Sequence, residues 1–267
     1  MPLNIVACLK QVPHPDHFSR IGLDPRTKTI QREGIPVITN PVDNNALEAG
    51  LRLKEKFSGK VTVVSMGPPK ARETLEEALA VGADEGVLLC DPALAGADTL
   101  ATAYPLACGI RKLAPFDLVL CGCESVDGNT GQLGPQLAEF LGIPHVTRVT
   151  KMDFADEGVL LVHHALERGY LEVQVKLPAL LTVTRALNRP RLPTVIGIME
   201  AMQKEIRTWG LSDLDATPEM VGLPGSPTQV VDIFPHHSQR RREILEGDPD
   251  QVVREALRRL RQMEALR

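Results

Sequence analysis

The first half of the chain alternates between short apolar runs and longer amphipathic stretches. The runs are residues 4–9 (NIVACL), 61–66 (VTVVSM), 86–90 (GVLLC) and 117–122 (DLVLCG). Uninterrupted Val, Leu and Ile over so few residues predict strands buried on both faces. Between them, residues 43–57 put Ala46, Leu47, Ala49, Leu51 and Leu53 on one broad helical face. Residues 69–81 do the same with Ala71, Leu75, Ala78 and Leu79, and 95–112 and 132–141 repeat the pattern. Strand–helix–strand alternation predicts βαβ units and an α/β fold, a mostly parallel sheet flanked by helices. Ligands on such sheets bind beyond the carboxyl ends of the strands.

Residues 13–40 interrupt the alternation and predict a hairpin with its turn at Asp24-Pro25-Arg26-Thr27. The second half changes character. Residues 145–154, 158–166, 169–176 and 178–184 read as strands, with turns at Asp156-Glu157-Gly158 and Glu167-Arg168-Gly169. The expectation is an antiparallel extension of the sheet, followed by a short helix near 193–204. From Leu211 the periodicity fades, and Pro218, Pro224, Pro227, Pro235 and Pro249 punctuate the chain. The expected division is a body over 1–210 and an extended C-terminal arm over 211–267. The arm ends in a helix where Val252, Val253, Ala256, Leu257, Leu260 and Met263 oppose a basic face. Such an end docks on its own core or on another subunit. The body is complete without it, which favours the subunit.

Composition narrows the function classes. The 267 residues carry 30 basic and 34 acidic side chains, and the net charge of -4 disfavours a general nucleic-acid binder. Aromatics are only 3%, too few for base-stacking platforms. No apolar run reaches the ~20 residues of a membrane span. The start, MPLNIVACLKQV, lacks the basic region and cleavage site of an export signal. The five cysteines are Cys8, Cys90, Cys108, Cys121 and Cys123. Their odd number and apolar settings fit free thiols, and with them a cytoplasmic protein.

Three segments carry candidate chemistry. Met66-Gly67-Pro68-Pro69 closes the second run and opens a helix, either as a plain turn or as a close approach to a ligand. Asn40-Pro41-Val42-Asp43 opens another helix, where the polar residues either cap it or offer its N-terminus to an anion. Gly122 to Pro135 (GCESVDGNTGQLGP) is the most informative. It places small and polar residues where a phosphate meets a helix N-terminus. It lacks the Gly-Lys-Ser/Thr ending of a Walker A loop. Cys121 and Cys123 form only C-x-C, so no metal site is expected. His163-His164 and His236-His237 read as structural, and no catalytic triad is visible.

Taken in order, these motifs resemble the beta subunit of electron transfer flavoproteins, over nearly the whole chain. The resemblance rests on Cys8-Leu9-Lys10-Gln11-Val12-Pro13, Asn40-Pro41-Val42-Asp43, Ala46-Leu47-Glu48-Ala49 and Met66-Gly67-Pro68-Pro69. It continues through residues 78–84 (ALAVGAD) and the Ser125–Pro135 loop. It ends on residues 177–184 (LPALLTVT) and Asn188-Arg189-Pro190-Arg191. It implies a Rossmann-like, adenine-nucleotide-binding fold and a heterodimer with an alpha subunit that holds most of an FAD. It also implies an adenine nucleotide in this chain, AMP in ordinary members or a second, NADH-oxidising FAD in electron-bifurcating ones. The residues it implies at the nucleotide are Cys8, Asn40, Pro41, Val42, Asp43, Met66, Gly122, Ser125, Asp127, Gly128, Asn129, Thr130, Gly131, Gln132 and Leu133. No catalytic residue of its own is expected.

The resemblance further places Arg191, Val195 and Ile196 in a loop that docks partner flavin dehydrogenases, such as the acyl-CoA dehydrogenases of fatty-acid β-oxidation. Electrons would leave toward a downstream quinone oxidoreductase. Read as residues alone, Val195 and Ile196 also fit the core side of a helix start. The loop Asp127–Pro135 and Gly197-Ile198-Met199-Glu200 lie nearer the bifurcating and nitrogen-fixation-type relatives, which leaves the bound species open. A standalone adenine-nucleotide-binding module is the remaining alternative.

Overall fold

The computed structural model describes residues 2–20, 22–23, 30–31, 34–231 and 243–263. It opens with β1 (Asn4–Cys8), β2 (Gln11–Pro13), β3 (Gly22–Leu23), β4 (Ile30–Gln31) and β5 (Val37–Thr39). Then come α1 (Pro41–Phe57), β6 (Lys60–Met66), α2 (Arg72–Val81), β7 (Glu85–Leu89), α3 (Thr99–Lys112), β8 (Leu118–Gly122) and α4 (Leu133–Leu141). The second half contributes β9 (His145–Asp156), β10 (Val159–Ala165), β11 (Tyr170–Lys176), β12 (Ala179–Val183), α5 (Val195–Ala201) and β13 (Ile206–Trp209). The chain divides into two compact units, Met1–Ile233 and Phe234–Arg267. The second holds α6 (Pro249–Gln262), with Asp248 at its N-cap and Val253, Leu257, Leu260 and Met263 exposed. No helix among the described residues is long and apolar enough to cross a membrane.

One nine-stranded sheet runs β11-β10-β9-β12-β8-β1-β6-β7-β13. From β12 through β13 all neighbours are parallel. The chain steps outward from β1 to β6 to β7, then returns past β1 to β8. Parallel crossovers are right-handed, so this reversal moves the connecting helices to the other face. Accordingly, α1 and α2 bury Leu47, Leu51, Leu75 and Leu79 in one core layer. Helices α3 and α4 bury Leu106, Ile110 and Leu137 in the other. The carboxyl ends of β1 and β8 therefore flank a topological switch point, where ligands of such sheets sit.

The predicted strands and helices of the first half fall where the periodicity put them. The strand-like runs of the second half need one correction. Residues 178–184 were expected in an antiparallel extension, but β12 inserts between β8 and β9 and is parallel to both. All five of its residues are buried, as in a central strand. β9 is likewise parallel to β12 in its first half, and only its second half pairs antiparallel with β10. The change comes where Arg148 takes a positive φ of 51° and the register with β12 slips between Leu181 and Val183. A bulge of this kind bends a strand. Phe154 then packs on Phe57 of α1, ring centroids 4.6 Å apart.

Several elements had no sequence prediction. β2 pairs with β5 as a two-stranded ribbon, β13 closes the sheet beside β7, and a six-residue 3-10 turn covers Pro15–Arg20. β3 and β4 form the expected antiparallel pair; the predicted turn Asp24–Thr27 lies outside the described residues, as do Pro235, His236-His237 and residues 264–267. The stretch after Leu211 stays with the first unit through residue 231. Leu214 and Val221 are buried, and the Ser226 hydroxyl accepts the Asp98 N–H at 2.8 Å.

Candidate nucleotide site and docking segment

Helix α1 begins with Pro41, whose missing N–H is one the first turn does not need. Asn40 and Asp43 flank it, both buried, and their polar atoms are spent on the switch point. One Asp43 oxygen accepts the Lys10 N–H at 2.8 Å and the other the Gly122 N–H at 2.9 Å. Asp43 thus staples the strands on either side of the crevice. Asn40 donates to the Glu124 carbonyl at 2.9 Å and accepts the Val126 N–H at 3.2 Å. Together they shape the first half of the 122–133 loop. Burial pushes the Asp43 carboxyl up to about 6, against the hydrogen bonds that hold it ionised.

Lys10 extends from the end of β1 across the loop. Its ammonium donates to Asp127 at 2.7 Å and to Ser125 at 3.2 Å. Beyond it, residues 128–132 are exposed. Asn129 and Gly131 both take positive φ, 51° and 64°. Such reversals of backbone hand turn successive N–H groups into an anion-binding concavity. The N–H groups of Thr130, Gly131 and Gln132 find no acceptor among the described residues. Leu133 then opens α4, and the Gln132 side chain accepts the Thr99 hydroxyl at 3.2 Å, joining the loop to the start of α3. Asp98 caps α3 by accepting the Ala101 N–H at 3.0 Å.

Two glycines fix the approach distances. A Cβ on Gly122 would lie 2.5 Å from the Asp43 carboxylate, and one on Gly134 would lie 2.2 Å from Thr182 Cγ2. The second contact lets the N-terminal turn of α4 lie against β12. Cys8 ends β1 on the α3/α4 face with Cys121 of β8 beside it, and Met66 ends β6 on the same face, half-buried. Burial first, then the Asp43 charge, pushes the Cys8 thiol up to about 12, and burial pushes Cys121 up as well. Both are packing thiols rather than nucleophiles. The structure thus gathers Cys8, Asn40, Asp43, Gly122, Ser125 and Asp127 at one switch point, with Asn129–Leu133 running from it to the starts of α3 and α4. Lys10 escaped prediction as a polar partner, although it lies inside the motif Cys8–Pro13.

The second predicted cluster lies on another side of α1. Val195 and Ile196 are 77% and 69% exposed, which excludes the core alternative in this chain. Leu192, Met199 and Met202 are exposed beside them. Arg191 points inward. Its guanidinium donates to Glu48 at 2.8 Å and also binds Glu55. Burial pushes Glu48 up, but hydrogen bonds from Arg191 and Arg52 outweigh it and leave the carboxyl below its usual range. Asn45 and Asn188 exchange side-chain-to-carbonyl hydrogen bonds at 2.8 and 2.9 Å. These partners were not predicted, because the two segments are 143 positions apart.

The model of the electron transfer flavoprotein domain matches residues 27–214. An electron transfer flavoprotein subunit beta of Thermoanaerobacterium thermosaccharolyticum is 46% identical over 97% of this chain and 98% of its own length. The chain belongs to the electron transfer flavoprotein family, on its beta-subunit branch. A subunit of the caffeyl-CoA reductase-Etf complex of Acetobacterium woodii is 45% identical over 92% of both chains. Protein FixA of Azotobacter vinelandii is 39% identical over 97% of this chain and 94% of its own. Membership gives the chain a role in electron transfer, a general involvement with flavin or nucleotide, and an alpha-subunit partner.

Proposed function

We propose that this chain is the beta subunit of a heterodimeric electron carrier and binds an adenine nucleotide at the switch point between β1 and β8. The observation that carries the reading is the 129–132 turn, with two positive φ values and three successive N–H groups without acceptors among the described residues. The residues present fit a nucleotide phosphate. Thr130, Gly131 and Gln132 offer backbone donors, the free N–H groups of α4 add a positive helix end, and Gly134 lets that end lie close to the sheet. Asn40 and Asp43 act on the nucleotide through the loop they hold, since their polar atoms already bond backbone. Cys8 and Met66 offer packing surface. FAD held with the alpha subunit supplies the redox chemistry when bound; this chain orients and shields it.

AMP is the nucleotide of the ordinary reading. The loop sequence Asp127–Pro135 and the similarity to a subunit of a CoA-reductase complex favour a second reading, with a second FAD oxidising NADH here. The exposed row at Leu192–Met202 supports docking of flavin dehydrogenases.

The test is a count. The two subunits are co-expressed and purified, and their ligands are released with acid and quantified. One FAD and one AMP per heterodimer supports the carrier reading. Two FAD without AMP selects the second reading. No stable complex and no adenine nucleotide refutes both.

A further inference from the structure

Helix α5 carries a contradiction. None of its seven residues is buried, and its apolar side chains Val195, Ile196 and Met199 face solvent. Apolar packing holds it only at its end, where partly buried Ala201 rests on the main core. The chain leading to it spans a cavity of about 340 Å³ lined by Leu47, Glu48, Leu51, Glu77, Ala78 and Arg191, among others. Apolar packing beneath that stretch is correspondingly thin.

Polar fixings take its place. Before the cavity, the Asn45–Asn188 pair ties the chain to α1. At the cavity, Arg191 spans two carboxylates of α1, Glu48 and Glu55, which lie two turns apart on one face. A planar guanidinium with a fixed fork of donors suits such a span and a lysine does not. Glu48 itself is buried and is shared with Arg52 at 2.6 Å. After α5, the Lys204 ammonium donates to the Ala83 carbonyl at 2.7 Å and the Leu79 carbonyl at 3.3 Å. Between these fixings, Gly197 sits so close to α2 that a Cβ would lie 2.2 Å from the Ala80 carbonyl.

We propose that the Arg191–Glu48–Glu55 fork and the Gly197 seat are a positioning device. They hold α5 in one orientation before any partner arrives, so that Val195 and its apolar neighbours project from a rigid stem. Arg191 acts on docking through Glu48 and Glu55 and not by touching the partner. The inference rests on the docking reading above and specifies which residues make it work. Preorganisation of this kind lowers the ordering cost of association, so its loss appears in recognition and not in electron transfer once docked.

The experiment uses the co-purified heterodimer in four forms: parent, Glu48→Gln, Val195→Ala and the double variant. Amide hydrogen exchange reports α5, and steady-state reduction by an acyl-CoA dehydrogenase reports recognition. Glu48→Gln is expected to speed exchange across residues 192–203 by about tenfold and to leave 60–66 and 118–122 unchanged. It is expected to raise the KM for the dehydrogenase by about tenfold with kcat within about twofold. In the Val195→Ala background the same change should have little further effect, because the stem then presents no anchor. Gly197→Ala should reproduce the exchange and KM changes without altering any charge.

Unchanged exchange in Glu48→Gln overturns the positioning proposal whatever the kinetics. A raised KM in Val195→Ala with a parental KM in Glu48→Gln also overturns it and leaves docking standing. A parental KM in Val195→Ala, or no turnover with the dehydrogenase, removes the docking reading and with it the recognition role of the fork. Arg191→Lys, which keeps the charge and loses the fork, guards against a Glu48→Gln variant that fails to fold. It should fall between parent and Glu48→Gln, and parental exchange in Arg191→Lys counts against the fork.

Discussion

Asp43 offers a measurement in which pH and mutation check each other. Its carboxylate is buried and accepts two backbone N–H groups, from Lys10 and Gly122. Burial raises its pKa from 3.8 to about 6. A folded value above the unfolded one means that between pH about 4 and about 6 the folded chain holds a proton that the unfolded chain has lost. The stability linked to this group is fully present below the unfolded pKa and is lost as pH rises through the folded one. A shift of about two units corresponds to about 3 kcal/mol. At neutral pH the fold therefore carries an ion at a cost, in exchange for two acceptor oxygens on one side chain.

Asp43→Asn removes the titration and leaves one carbonyl oxygen for two N–H donors. The unmatched N–H costs about 1–3 kcal/mol, the same size as the relief from the buried charge. The variant should lie within about 2 kcal/mol of the parent at pH 7. The parent's advantage should be about 3 kcal/mol larger at pH 4 than at pH 7. Urea unfolding of both heterodimers in pH steps reads this gap, in which the other titrating groups cancel. A gap independent of pH, or one that grows toward pH 7, refutes the assignment. On the nucleotide reading proposed above, the variant should also hold an adenine nucleotide about tenfold less tightly at pH 7, because one of the two backbone tethers, to Lys10 or to Gly122, is lost.

Gly134→Ala should destabilise the first unit by about 1–3 kcal/mol through the clash with Thr182; Thr182→Ser, which removes the offending methyl, should recover part of the loss in the same denaturant titration. At pH 8 a thiol reagent should label half-buried Cys90 in the native complex, whereas peptide mapping should find Cys8 and Cys121 modified only after unfolding. Leu257→Asp in α6 should weaken subunit association in sedimentation while leaving unfolding of the first unit unchanged, if the arm docks on the alpha subunit.

Local pattern was enough for the parallel half of the sheet, because a strand buried on both faces and an amphipathic helix each announce themselves within ten or so residues. NIVACL, VTVVSM and DLVLCG needed no tertiary information to be read as strands. The glycine-rich, polar Gly122–Gln132 run marked a loop for the same reason, since backbone freedom and small side chains are local properties. The position of β12 was not local. Its apolar run is compatible with either direction, and only the space between β8 and β9 decided that it runs parallel to both.

The site depended on tertiary structure in the same way. Asn40 and Asp43 look in the sequence like caps or ligands, and the fold spends them on Lys10, Gly122, Glu124 and Val126, all of them 33 or more positions away in sequence. The resemblance places Arg191 in a docking loop, yet Glu48 and Glu55 lie 143 and 136 positions away and turn its guanidinium inward. Val195 and Ile196 fit a core in the sequence and reach solvent in the structure, because Gly197 sets the helix backbone against Ala80 and leaves its apolar face outward. Periodicity reports which residues share a face. What that face meets is fixed by the packing of segments far apart in the chain.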